Sequence, residues 1–134
     1  MKSKTILTLF TIVALVGVLT SCKKTQDPNL PAKQVTSQDN GKTVTLLEGQ
    51  ILKIKLGNPG DGGYTFDAPK YDSSMLKLNS HINTPPVNNM NVGDFGTDTW
   101  EFSALKSGTA ALIITATRGS ESPIIIFSGT ITVK

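Results

Sequence analysis

Residues 51–66 read ILKIKLGNPGDGGYTF, an alternating run that breaks into a turn-forming one. Leu52, Ile54 and Leu56 fall on one side of an extended chain, with Lys53 and Lys55 on the other, because successive side chains of a strand point to opposite faces. The alternation stops at Gly57. GNPGDGG then supplies the residues that reverse a chain: proline with its fixed φ, Asn and Asp that bond their own backbone, and glycine. A strand that is apolar on one face and charged on the other needs a second apolar face to cover it.

The rest of the chain offers such faces. Val44 and Leu46 alternate with Thr43 and Thr45, and Leu76 and Leu78 flank Lys77. Trp100, Phe102 and Ala104 alternate with Thr99, Glu101 and Ser103. Leu112, Ile114 and Ala116 follow, and the last run places Ile125, Phe127, Ile131 and Val133 on one face with Gly129 between them. Six or seven short runs of period two, separated by Gly, Pro, Asn and Asp clusters, predict an all-β fold: an antiparallel sandwich of about seven strands. Trp100 and Phe102 are expected in its core, and no stretch after the N-terminal segment carries a helical period.

With 134 residues the chain has room for one domain. Its first 22 residues, MKSKTILTLFTIVALVGVLTSC, read as a leader: Lys2 and Lys4, then an apolar run too short to span a membrane. Leu19-Thr20-Ser21-Cys22 resembles the bacterial lipobox, in which the cysteine becomes the lipidated first residue of the mature protein, and Cys22 is the only cysteine of the chain. The expected organisation is a lipoprotein signal peptide over 1–21, a polar, proline-containing tether over 22–36 and a folded domain over 37–134. Lys23 after Cys22, in place of aspartate, resembles an outer-membrane sorting pattern, so the expected location is the cell envelope, lipid-anchored at the outer membrane. Removing Lys2 and Lys4 with the leader leaves 11 basic residues against 10 acidic ones. A nearly neutral domain has no electrostatic case for binding nucleic acid.

Catalytic equipment is sparse. His81, the only histidine, sits in the polar stretch LNSHINTPPVNN and reads as a solvated loop residue. Asp94 and Asp98 lie four apart, but VGDFGTDTW does not have the spacing of a calcium loop, and no glycine-rich phosphate loop leads into a helix. Neither a metal, a cofactor nor an enzymatic activity is expected.

Function therefore falls to the loops, of which three are long, glycine-rich or aromatic: GNPGDGGYTF; HINTPPVNNMNVGDFGTDTW, with Phe95 between Gly93 and Gly96; and TRGSESP, with Arg118, the only arginine. Asn58-Pro59 followed by Gly63-Tyr64 resembles the Asn-Pro-Thr-Thr-Gly-Tyr motif of the chagasin-like inhibitors of papain-family cysteine peptidases. Val92 to Thr97, and Trp100-Glu101-Phe102-Ser103-Ala104-Leu105-Lys106-Ser107-Gly108-Thr109 after it, are similar to that family's glycine-containing loop, following strand and Ala-Leu-Lys-x-Gly turn. Two positions differ. Gly60-Asp61-Gly62 stands where the family has two threonines, and Arg118-Gly119-Ser120 where it has Arg-Pro-Trp.

The resemblance implies an immunoglobulin-like β-sandwich that inhibits papain-like peptidases reversibly, as a monomer, by placing three loops in the active-site cleft. The peptidase-binding residues it implies are Asn58, Pro59, Gly60, Asp61, Gly62, Gly63 and Tyr64 in the first loop, Gly93, Phe95 and Gly96 in the second, and Arg118 in the third. The alternative from the residues alone is an envelope-anchored binding or structural module without inhibitory activity.

Overall fold

A computed structural model describes residues 30–87 and 93–134; the leader, Cys22 and most of the expected tether lie outside the described residues, as does Val92. In chain order the strands are β1 (Lys33–Thr36), β2 (Thr43–Leu46), β3 (Ile51–Gly57), β4 (Thr65–Phe66), β5 (Leu76–Thr84), β6 (Thr97–Ala104), β7 (Gly108–Thr117) and β8 (Ile124–Val133). They form two four-stranded sheets, β1-β3-β6-β5 and β2-β8-β7-β4. The two sheets face each other as an immunoglobulin-like sandwich, and 3-10 turns occupy Ser37–Asp39 and Pro59–Gly62.

The inward residues are those that the alternation picks out. Leu52, Ile54 and Leu56 of β3, Trp100, Phe102 and Ala104 of β6, Leu112, Ile114 and Ala116 of β7, and Phe127, Ile131 and Val133 of β8 are all buried. Lys53 and Glu101, cross-strand partners on the outer face of β3 and β6, form a 3.2 Å ion pair. Both side chains are part-exposed, so the pair adds little to stability.

The sheets are mixed rather than wholly antiparallel. β1 runs parallel to β3 and β2 parallel to β8, each as an edge strand. Alternation reports which face a residue takes but not the direction of its neighbour, so periodicity could not distinguish these pairings. The chain forms an edge of one sheet with Lys33–Thr36, crosses through the Ser37–Asp39 turn and past Gly41, and forms an edge of the other sheet with Thr43–Leu46. That turn is capped reciprocally: Thr36 Oγ1 accepts from Gln38 N, and Asp39 Oδ2 accepts from Thr36 N at 3.0 Å. The backbone hydrogen bond from Thr36 holds the Asp39 carboxyl below its ordinary value of 3.8.

The expected tether therefore ends too late. Lys33–Thr36 is a strand and Val35 is 2% exposed, so the folded unit reaches back at least to Lys33. One apolar residue in four is too little to register as a period.

Two register shifts turn side chains away from their expected faces. One lies in the β7–β8 ladder between Ile114 and Thr115; beside it Ile125 is 62% exposed, while its neighbour Ile126 packs on the core. The other lies in β5 between Leu78 and Ser80, and from there His81 pairs with Trp100 and Asn83 with Asp98. His81 is thus a strand residue, not a loop residue. The shift at Asn79 sets its ring beside the indole and leaves Ile82 58% exposed.

Deleting the chain up to Thr36 should cost at least about 2 kcal/mol, the value of burying Val35 together with its edge pairing. Urea unfolding of chains beginning at Leu30 and at Ser37 measures the difference; equal midpoints and slopes would show β1 to be dispensable.

Candidate functional site

The first loop is a built turn. Asn58 leaves β3 in an extended conformation, and its Oδ1 accepts from Gly60 N at 2.8 Å, capping the Pro59–Gly62 turn. Pro59 occupies the first position, where a fixed φ helps and no amide is needed. Gly63 closes the turn in the left-handed region, φ 73°, and donates to Gly60 O at 2.9 Å. The glycines here make a defined turn rather than a loose one. Gly60 is half-buried, whereas Asp61, Gly62 and Gly63 are exposed at the tip.

Beneath the turn lies a buried carboxylate. Asp98, on the inward side of β6 and 3% exposed, accepts from Asn58 Nδ2 at 2.7 Å and Asn83 Nδ2 at 3.0 Å on Oδ2, and from His81 Nε2 at 2.6 Å on Oδ1. A buried charge is tolerated only when its lone pairs are met in this way. The His81 ring stacks on Trp100, centroids 4.3 Å apart and planes 11° apart, and Phe66 meets the indole edge-on at 4.7 Å. The motif asparagine is thus joined, through Asp98 and His81, to the aromatic cluster of His81, Trp100 and Phe66.

On one flank stands the second loop. Asn58 N donates to Gly96 O at 2.9 Å, and Asp94 Oδ1 accepts from Gly96 N at 2.8 Å. The Phe95 ring covers Gly60 so closely that a Cβ there would sit 2.6 Å from Cδ1, yet half of the Phe95 surface remains open to solvent. The Asp61 carboxylate lies beside Gly93.

On the other flank stands the third loop. Arg118 donates from Nη1 to Gly62 O at 3.3 Å, and its guanidinium lies 5.1 Å above the Tyr64 ring. Its Nε and Nη2 both donate to Glu121 Oε1, at 3.0 and 2.8 Å, hydrogen bonds that raise the guanidinium's pKa above its ordinary value. Asp67, just after β4, accepts from the hydroxyls of Thr115 and Thr117 and so ties the first loop's exit to the strand that enters the third.

Every residue from Asn58 to Tyr64, with Gly93, Phe95, Gly96 and Arg118, therefore lies in one cluster at one end of the sandwich, the Asn-Pro loop in the middle. Arg118 is held by its own chain, so the third loop braces the first. Asp98 and His81 were not among the expected site residues, yet they underlie it. Asp98 was detectable, because it shares the inward parity of Trp100, Phe102 and Ala104 and is a carboxylate on an apolar face. His81 was not, because its orientation depends on the irregularity at Asn79.

The cluster is suited to contact rather than to chemistry. Among the described residues no group of three His, Cys, Asp or Glu could hold a metal ion. His81 and Asp98 pair as a base and its orienting carboxylate do, but the ring of His81 is engaged by Asp98, Trp100 and Phe66 rather than by a hydroxyl or thiol.

Gly96, at φ 83°, is the tightest point, since a Cβ there would collide with Thr84 O. Gly96→Ala should lower stability by about 2 kcal/mol or more. A urea midpoint within about 0.5 kcal/mol of the native chain would contradict this placement.

Comparison with known proteins agrees with the geometry. Residues 45–134 match the family model described as chagasin family peptidase inhibitor I42. The fold is similar to the cysteine protease inhibitor EhICP2 from Entamoeba histolytica, with a TM-score of 0.65 and 14% identity over 81% of this chain and 100% of that one. It is also similar to amebosin, with a TM-score of 0.57 and 18% identity over 78% of this chain and 99% of that one. No curated protein sequence matches the chain. The family model spans the chain from the second half of β2 onward, with all three clustered loops, and its members are inhibitors rather than enzymes: the chain belongs to the chagasin family of peptidase inhibitors.

Proposed function

We propose that this protein is a reversible inhibitor of papain-like cysteine peptidases that fills the active-site cleft with three adjacent loops, the Asn58–Tyr64 loop entering deepest. The observation that carries the reading is the convergence of the three loops around a capped, outward-pointing turn. A turn whose Pro59 and Gly60 carbonyls already accept from Tyr64 and Gly63 amides does not present an extended backbone for cleavage. It blocks the cleft without becoming a substrate.

The energetics favour a rigid wedge. Peptidase–inhibitor contacts bury about 1,600 Å² in total, and nanomolar affinity corresponds to about −12 kcal/mol. Part of any such gain is lost in ordering flexible loops, so a loop fixed before the encounter keeps more of it. Here the fixing comes from the Asn58 cap, the Arg118 brace and the Phe95 cover. Phe95, half exposed, is the aromatic that the contact face offers to an apolar pocket. Asp61, exposed at the tip, offers a carboxylate to the imidazolium that pairs with a catalytic thiolate.

The same reading has the protein anchored at the cell envelope through lipid on Cys22; two or three acyl chains at about 0.8 kcal/mol per buried methylene suffice to retain it there. The motivation is the position of the only cysteine at the end of the apolar leader.

Assayed against a panel of papain-like peptidases, the protein should inhibit at least one reversibly at micromolar concentration or below. Replacing Asn58–Tyr64 by a two-residue turn should abolish inhibition while the sandwich still unfolds cooperatively, and Cys22→Ser should move the protein from the membrane to the soluble fraction. Absence of inhibition across the panel would favour the reading as an envelope binding module, and unchanged membrane retention of the Cys22 variant would remove the lipid anchor.

A further inference from the structure

The family motif accounts for Asn58 but not for what lies beneath it. Asp98, His81 and Asn83 come from two neighbouring strands, and all three are directed at one point under the first loop. We infer that Asp98 is the positioning residue of the inhibitory loop: by accepting from Asn58 Nδ2 it fixes which way the Asn58 amide faces, and thereby whether Oδ1 can cap the turn. His81 and Asn83 in turn fix Asp98.

The chemistry leaves little freedom. The Asn58 amide has a donor end and an acceptor end, and the turn requires its acceptor at Gly60 N. Its donor end must then meet an acceptor. Asp98 Oδ2 supplies one at 2.7 Å, and a carboxylate offers only acceptors, so the opposite amide orientation finds no partner there. An amide at position 98 would turn a donor toward either the two Asn side chains or His81.

The carboxylate is itself held from two sides. Asn83 shares Oδ2 and His81 takes Oδ1, and the His81 ring is trapped against Trp100 by stacking. The irregularity at Asn79 brings both residues onto the inward face of β5. Asp98 touches no exposed surface of the cluster, so it acts through Asn58 and is not itself a contact residue.

The test reads backbone amide exchange by NMR in the full chain in mild detergent, with inhibition measured in parallel. Asp98→Asn should speed exchange at Gly60 and Gly63 by about tenfold or more, with core amides of β6 and β8 unchanged, and should weaken inhibition by a similar factor. Adding Asn58→Asp to that variant exchanges donor for acceptor and should return Gly60 to within about threefold of its native rate. A merely structural role predicts no such rescue. If Asp98→Asn unfolds the core, His81→Leu keeps the packing on Trp100 while removing one donor, and should still speed exchange at Gly60 severalfold. Native exchange at Gly60 in Asp98→Asn, no recovery in the double variant, or native exchange in His81→Leu when that variant is needed, overturns the inference. The inhibition arm rests on the proposed function; the exchange arm does not, so a native chain that inhibits nothing would sink the former and leave the latter to decide.

Discussion

The hydrogen bond from Asn58 to the buried carboxylate of Asp98 is the constraint on which the three-loop end of this molecule depends. A charge 3% exposed is costly unless its oxygens are met, and the fold meets them with three side chains, one of them from the loop itself. Loop and core are therefore not separable. Releasing the loop would strip the carboxylate of a donor, and disturbing β5 would loosen the loop.

The other two loops add to this from the sides. Gly96 O accepts from Asn58 N while Phe95 lies over Gly60, and Arg118 donates to Gly62 O while its guanidinium rests on Tyr64. The Gly60-Asp61-Gly62 segment, which in isolation would sample many conformations, is held by contacts at both ends and from both flanks. Glu121 completes the brace by orienting Arg118, at a surface where an isolated ion pair would contribute little to stability but where direction matters. The third loop thus serves to shape the first.

How much of this was legible follows from what alternation can carry. It identified the inward faces of β3, β6 and β7, hence the sandwich and the burial of Trp100 and Phe102, because period two is a direct consequence of strand geometry. It could not give strand direction, so the parallel edges β1 and β2 came from the structure, and it could not see β1, whose single buried residue is Val35. The one-residue irregularities at Asn79 and near Ile126 reversed the faces of His81 and Ile125, which no pattern of residue types announces. The Asn-Pro loop and its two companions were readable as motifs. Their brace was not, since it joins residues up to 56 positions apart.

The central claim is that one end of the sandwich, and no other surface, meets the peptidase. Hydrogen-exchange footprinting of the protein with a catalytically inert papain-like peptidase tests it most directly. The account predicts new protection confined to residues 57–64, 93–96 and 117–123, with the outer faces of both sheets unchanged. Protection on a sheet face or at the opposite end, with those loops exchanging as in the free protein, would contradict it.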